Sequence, residues 1–166
     1  MEQDPNQTIP YKRGRFSTHL PVGRLYTSAH FHLVEDSPGV WRIGFTKFAT
    51  RMLGDLVEYG FPVSPGEQVT VGQIIGWVEG FKALSDLYSV AAGEFLGGNP
   101  ALEQDITLTD TDPYGEGWLY RIKGTPEPNS MDVHEYIALL DSTIDKLRSQ
   151  SGGDEAKGFG GEQDAG

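Results

Sequence analysis

A lone lysine lies at a small-residue turn between two segments with strand character, and its position suits covalent chemistry. Lys82 follows Gly80 and Phe81 and precedes Ala83. The flanking segments are rich in the β-branched and aromatic residues that favour paired strands; they include Ile74, Ile75, Trp77 and Val78 before the turn, and Leu84, Leu87, Tyr88 and Val90 after it. This pattern predicts a hairpin with Lys82 at its tip. The exposed primary amine would suit a swinging cofactor, although a solvated lysine without a role is the ordinary alternative.

The residues around Lys82 have a characteristic spacing. Gly66 lies sixteen residues before the lysine, Glu79 three before it and Gly93 eleven after it. Further segments recur in a fixed order along the chain, namely Leu53-Gly54-Asp55-Leu56-Val57, Ser85-Asp86-Leu87-Tyr88, Asn99-Pro100-Ala101-Leu102 and Asp112-Pro113-Tyr114-Gly115-Glu116-Gly117-Trp118-Leu119. In this order and spacing the chain resembles the lipoyl-domain family, in particular its glycine cleavage H-protein branch. The resemblance extends from Tyr26 to Ile144.

The resemblance implies a fold and a cofactor. The implied fold is mainly β, a flattened barrel or sandwich of two small antiparallel sheets with short helices and a C-terminal helix. Lys82 would carry lipoate as an amide, and Glu79, Gly66 and Gly93 would serve recognition by the modifying enzyme. Biotin carriers share this fold, but methionines typically flank their lysine, whereas Phe81 and Ala83 flank Lys82. Lipoate is therefore the expected cofactor.

The resemblance also implies partners. An H-type protein is a carrier rather than an enzyme, and it moves an aminomethyl group between the components of the glycine cleavage system. The implied partners are the pyridoxal-phosphate glycine decarboxylase, the tetrahydrofolate-dependent aminomethyltransferase, dihydrolipoyl dehydrogenase, and a lipoate ligase or octanoyltransferase. An independent enzyme is disfavoured because no acid–base or nucleophile set converges in the sequence.

The sequence departs from the H-protein pattern around the cleft that would hold the loaded arm. The cleft residues implied by the resemblance are Ala29, His30, Phe31 and Asp86. The usual serine and glutamate of the first segment are missing from Ala29-His30-Phe31-His32, Lys47 replaces an acidic residue, and Gly80-Phe81 replaces Ser-Val. Two alternatives therefore stay open: a lipoate-binding protein of another pathway, such as sulfur oxidation, and an unmodified interaction module.

Composition narrows the class of protein. The chain has 166 residues, no cysteine, 22 glycines and 10 prolines, a balance that favours one domain of many short strands. Its formal charge of −11 disfavours binding to nucleic acid, because phosphates would be repelled. No stretch is apolar enough for a membrane span or a signal peptide, which predicts a cytoplasmic protein.

Two groups of polar residues invite a metal interpretation. His30 and His32 are two residues apart and would share one face of a strand. Because no third ligand accompanies them, hydrogen-bonded structural histidines are the better interpretation. Asp105, Asp110 and Asp112 lack the spacing and the glycine of a calcium loop. The sequence therefore predicts no metal site.

The sequence predicts three parts. Residues 1–19 would form an N-terminal arm that packs through Tyr11 and Phe16, residues 20–148 the lipoyl-carrier domain, and residues 149–166 a disordered acidic, glycine-rich tail. Within the domain, Thr46 and Gly54 would cap and stop a helix over 47–53, Asn99 and Pro100 would begin a short helix, and residues 118–123 would form the last strand. An apolar stripe predicts a C-terminal helix over 131–148.

Overall fold

The computed structural model describes residues 7–150 and confirms the mainly β class. The elements, in chain order, are β1 (Thr8–Arg13), β2 (Phe16–Pro21), β3 (Leu25–Tyr26), β4 (Phe31–Ser37), β5 (Val40–Phe45), α1 (Lys47–Leu53), β6 (Leu56–Gly60), β7 (Gln68–Val69), β8 (Ile74–Gly80), β9 (Leu84–Tyr88), β10 (Ala91–Gly98), α2 (Ala101–Gln104), α3 (Leu108–Thr111), β11 (Tyr120–Pro126) and α4 (Val133–Gln150). None of these helices is long and apolar enough to cross a membrane.

The strands form three antiparallel sheets. The large sheet has six strands in the order β3-β4-β5-β11-β10-β7, the small sheet has the order β6-β8-β9, and β1 pairs only with β2. The main core lies between the large and small sheets and contains Leu33, Ile43, Val78, Leu87 and Ile122. Neither sheet closes on itself, so the arrangement is a sandwich rather than a barrel.

A second core joins the N-terminal hairpin to the C-terminal helix. Phe16 of β2, Phe48 of α1 and Leu140 of α4 are buried in it, and the Phe16 and Phe48 rings meet edge to face at 5.5 Å. At the surface of the same contact, Arg13 forms two ion pairs with α4. Its Nη1 atom lies 3.2 Å from Asp141 Oδ1, and its Nη2 atom lies 2.8 Å from Asp145 Oδ2. The hairpin is therefore packed against α1 and α4.

The N-terminal arm predicted over 1–19 forms a regular hairpin in its described part, with β1 and most of β2. Its expected contacts are confirmed, because Tyr11 and Phe16 are both buried. The sequence did not predict the strands of this arm, because α4, which supplies the other half of its apolar cluster, lies about 130 residues away, as the Tyr11–Asp141 hydrogen bond shows.

The C-terminal helix begins and ends later than predicted. Asp132 is its capping residue rather than part of its first turn: its carboxylate accepts from the Glu135 amide at 2.8 Å, and the Glu135 carboxylate accepts from the Asp132 amide at 2.9 Å. Met131 instead pairs with Tyr26 as an isolated bridge. The helix continues through Gln150, so residues 149 and 150 are not tail, and the rest of the predicted tail lies outside the described residues.

The remaining predicted elements agree with the structure except in the last strand and one short helix. Helices α1 and α2 have the predicted positions, with Thr46 Oγ1 accepting from the Ala49 amide and Asn99 Oδ1 accepting from the Ala101 amide. Strand β11 begins two residues later than predicted and ends at Pro126. Helix α3 was not predicted, because its four residues are too few to show a periodic pattern.

We predict that Phe16→Ala lowers the free energy of unfolding by about 3–5 kcal/mol, because it empties a fully buried aromatic site in the second core. Ser17→Ala, on the exposed side of the same strand, should change it by about 0.5 kcal/mol or less. Urea unfolding of both variants measures the difference. Equal stabilities would mean that the hairpin is only loosely attached.

Candidate functional site

Lys82 lies at the tip of the β8–β9 hairpin, as the sequence predicts. The Gly80 amide donates to the Ala83 carbonyl at 2.8 Å and closes the turn. Both residues at the apex are exposed, and Phe81 retains 80% of its accessible surface. The lysine is therefore presented to solvent on a short and closed turn.

The C-terminal end of α1 holds this turn through its backbone. The Lys82 amide donates to the Leu53 carbonyl, and the Phe81 amide donates to the Asp55 carbonyl, both at 2.9 Å. The Lys82 Nζ atom also reaches the Arg51 carbonyl at 3.3 Å. The last carbonyls of a helix lack partners within the helix, and the partial negative charge at this end favours a cation. Lys82 thus satisfies two of these carbonyls. We call residues 51–55 the seat of the hairpin.

Two glycines allow the hairpin and its seat to come this close. Gly54 ends α1 with φ +79°, and a Cβ atom there would lie 3.0 Å from both the amide nitrogen and Cγ of Lys82. A Cβ atom on Gly80 would collide with the Leu53 carbonyl oxygen. Any larger residue at position 80 would push the hairpin away from α1. Close packing against α1 therefore explains why this chain has glycine at position 80, where the family pattern has serine.

Of the three residues expected to serve recognition, Glu79 and Gly93 lie in different sheets and Gly66 lies in the turn before β7. Glu79 is exposed on β8 beside the turn, opposite Glu58 on one side and Leu84 on the other. Gly66 and Gly93 belong to the β7–β10 region of the large sheet and adopt φ values of +98° and +150°. At Gly93 a Cβ atom would collide with the Lys123 carbonyl, so backbone packing explains this glycine.

The four residues implied for an arm cleft do not line one open surface. Phe31 is only 5% exposed and stacks on Phe45 in the main core, with ring centroids 5.3 Å apart. His30 precedes β4 with φ +71° and packs against Phe48 of the second core. Ala29 and Asp86 are exposed, the latter on β9 opposite Trp77. The burial of Phe31 excludes it from an exposed cleft in this conformation.

The two histidines do not share one face of a strand, because His30 lies before β4 begins. His30 Nδ1 lies 2.8 Å from the Tyr136 hydroxyl. His32 Nε2 lies 2.8 Å from the Pro113 carbonyl oxygen, so this nitrogen carries the hydrogen, and Nδ1 can accept from Arg24 Nη1 at 3.2 Å. Within residues 7–150, no cluster of three or more potential metal ligands occurs.

A surface groove of about 750 Å³ runs between β6 and α2. Its walls include Tyr59, Phe61, Leu102 and Ile106. None of the site residues proposed from the sequence lines it. The groove and the Lys82 hairpin are therefore separate features that share strand β6 as a neighbour.

Comparison with known proteins identifies the family. The family model described as glycine cleavage H-protein matches residues 24–142, most of the chain. The chain belongs to the glycine cleavage H-protein family.

Individual relatives agree with this assignment. The glycine cleavage system H protein of Corynebacterium jeikeium is 39% identical over 125 residues, which cover 73% of this chain and 97% of the relative. That of a Psychrobacter species is 40% identical over 120 residues, covering 72% and 91%. The crystal structure of the H protein from Mycobacterium marinum superposes with a TM-score of 0.66 at 35% identity, covering 74% of this chain and 99% of that one. The expectation of a carrier component rather than a catalyst is thereby confirmed.

The contact between the seat, residues 51–55, and the β8–β9 turn was not predicted from the sequence. Gly54 was recognised only as a helix stop, and nothing in the local pattern indicated that its backbone would lie against Lys82, 28 residues later. The N-terminal hairpin was also missed; its residues precede the segment that matches the H-protein family. The hairpin is thus an addition to the part of the chain that the family model describes.

The buried histidines predict a loss of stability in mild acid. Burial lowers the pKa of His30 to about 4, and burial with the nearby Arg24 charge lowers that of His32 to about 3. The unfolded chain binds these protons near pH 6.5. The free energy of unfolding should therefore fall between about pH 6.5 and 5, by up to about 1.4 kcal/mol per pH unit for each histidine.

Urea unfolding at pH 7, 6 and 5 measures this slope, and a His30→Gln variant should show a shallower one. A stability that is constant over this range would contradict the neutral state assigned to both histidines.

Proposed function

We propose that the chain is a lipoyl carrier whose lipoyl group is attached through an amide to Nζ of Lys82. The observation that carries the proposal is the exposed amine at the tip of a hairpin held by the end of α1. Family membership supports it, because the lysine and its surroundings resemble the modified hairpin of H proteins.

The residues at the hairpin fit this modification. The Lys82 amine donates a hydrogen bond of 3.3 Å to the Arg51 carbonyl oxygen. A hydrogen bond of this length is weak, so the amine can break it during modification. The backbone of the same residue is held at 2.9 Å by Leu53. The side chain can thus leave its seat while the turn stays in place.

Attachment is an acyl transfer to the lysine amine. The Nζ–carbon bond forms as the bond between the acyl carbon and its leaving group breaks in an activated acyl donor, and the amine gives up a proton. When bound, the lipoyl dithiolane supplies the redox and group-carrying chemistry. The protein contributes the position of the amine and the rigidity of the turn beneath it.

The proposed partners are those of the glycine cleavage system. They comprise glycine decarboxylase with pyridoxal phosphate, the tetrahydrofolate-dependent aminomethyltransferase, dihydrolipoyl dehydrogenase, and the lipoate ligase or octanoyltransferase that loads Lys82. In this proposal the chain carries an aminomethyl group between the first two. Glu79, exposed beside the turn, would contact the loading enzyme, whereas Gly66 and Gly93 would act through the shape of the backbone.

A second candidate is a lipoyl carrier of another pathway, such as sulfur oxidation. It is favoured by Phe31, which replaces the family's usual glutamate and stacks on Phe45. A carboxylate can hold a protonated amine through a charge-assisted hydrogen bond, and a buried phenylalanine cannot. The two candidates share Lys82 as the attachment point and differ in cargo and in the enzymes that use the arm.

We predict that incubation with lipoate, ATP and a lipoate ligase adds one lipoyl group, at Lys82. Lys82→Arg should abolish the mass increase and change stability by about 0.5 kcal/mol or less, because the side chain is exposed. Lys123→Arg, another exposed lysine, should load like the wild type. Intact mass and peptide mapping decide the outcome. An unmodified wild type, or loading at another lysine, would contradict the carrier proposal and favour an unmodified interaction module.

A further inference from the structure

The exposed large hydrophobic side chains are concentrated on one small part of the surface. Within residues 7–150 there are six of them, and all lie on the small sheet or in the turns that lead into its strands. They are Val57, Val71, Ile74, Phe81, Leu84 and Tyr88. Clustered exposed apolar surface of this kind marks an interaction site more often than scattered exposed residues do.

The register of the small sheet shows which side chains share its outer side. Glu58, Glu79 and Leu84 lie opposite one another in one row, Gly60, Trp77 and Asp86 in the next, and Ile74 and Tyr88 in the third. The intervening side chains point inwards, because Val78 and Leu87 are buried in the main core. We call the residues of these three rows the outward face.

Trp77 adds to the apolar area of the outward face. Its indole ring lies over Gly60 of the neighbouring strand, where a Cβ atom would lie 2.8 Å from ring atoms. The ring is therefore held flat against the sheet. Trp77 and Tyr88 are of the residue types that dominate binding energy at interfaces, and Leu84, which is 72% exposed, adds apolar area beside them.

The charges on the outward face are all negative. They are the carboxylates of Glu58, Glu79 and Asp86, and none of them forms an ion pair with a cation of the described chain. Glu58 and Glu79 are directly opposite each other on paired strands, an arrangement that destabilises a sheet. No ion pair within residues 7–150 offsets this repulsion. A partner that places a cation opposite Glu58 and Glu79 would offset it.

We propose that the outward face is the docking surface for the enzyme that acylates Lys82, and that the enzyme meets it with an apolar patch bearing lysine or arginine opposite Glu58 and Glu79. The inference rests on the proposed function. It assigns the loading enzyme a footprint that extends along the whole sheet, from the turn to Ile74 and Tyr88 at its far end.

The length of the lysine side chain indicates which enzyme binds the outward face. Before loading, the reacting amine is no farther from the hairpin than one lysine side chain. An enzyme that brings this amine to an activated acyl donor must therefore contact the turn and the sheet beneath it. Once the lipoyl arm extends the side chain, other enzymes can reach its end without covering the sheet. The face thus suits the acylating enzyme better than the enzymes that use the arm.

Binding of the unloaded chain tests the footprint. In a Lys82→Arg background, which cannot be acylated, the dissociation constant for purified lipoate ligase is measured at several salt concentrations. Glu58→Lys should raise it about tenfold or more and flatten its dependence on salt. Ile74→Ser combined with Tyr88→Ser should raise it about tenfold and leave the salt dependence unchanged. Glu67→Lys, the same charge change in the turn before β7, should bind like the background.

The outcomes separate this inference from the proposed function. If the wild type loads at Lys82 but Glu58→Lys and the double variant bind like the background, the docking inference alone is overturned. It is also overturned if the variants weaken only the reaction of the loaded chain with dihydrolipoyl dehydrogenase. If the wild type is never loaded at Lys82, the proposed function fails and the inference loses its basis. Circular dichroism melting of each variant verifies that it is folded.

Discussion

The backbone contact between the end of α1 and the β8–β9 turn determines where the candidate site lies. Two amides of the turn, those of Phe81 and Lys82, donate to carbonyls of the seat at 2.9 Å. Backbone bonds of this kind leave the lysine side chain free while fixing its Cα atom. The contact exists only because Gly54 and Gly80 have no side chain to separate the two segments. The Cα atom of Lys82 is consequently fixed by backbone hydrogen bonds, whereas its amine is held by the longer contact of 3.3 Å with the Arg51 carbonyl.

Helix α1 can act as a seat because both of its sides are packed. Ala49 and Leu53 belong to the main core between the two sheets, whereas Phe48 belongs to the second core with the N-terminal hairpin and α4. The N-terminal hairpin precedes the segment that matches the H-protein family, yet it closes one side of the helix that holds Lys82. Its contribution to the site is therefore indirect and passes through the position of α1.

Sequence reasoning predicted the local features of the fold well because they depend on neighbouring residues. Thr46 and Gly54 were enough to bound α1, and the strand pattern around Lys82 was enough to predict its hairpin. What it missed depends on residues far apart in sequence: the pairing of the N-terminal hairpin with α4, and the approach of Gly54 to Lys82. The burial of Phe31 was missed for the same reason, since only the packed sheets show that β4 directs it into the core.

The most direct test of this account compares loading of alanine variants at two glycines whose φ values are nearly equal. Gly54 and Gly39 have φ values of +79° and +78°, but a Cβ atom at Gly54 would press on Lys82, whereas one at Gly39 would have no atom within 4 Å. The rate of lipoylation, kcat/KM, is measured for Gly54→Ala and Gly39→Ala at a temperature where both are folded. We predict a loss of about tenfold or more for Gly54→Ala, because the amine is displaced, and a rate near that of the wild type for Gly39→Ala. Equal rates would contradict the claim that the seat positions Lys82.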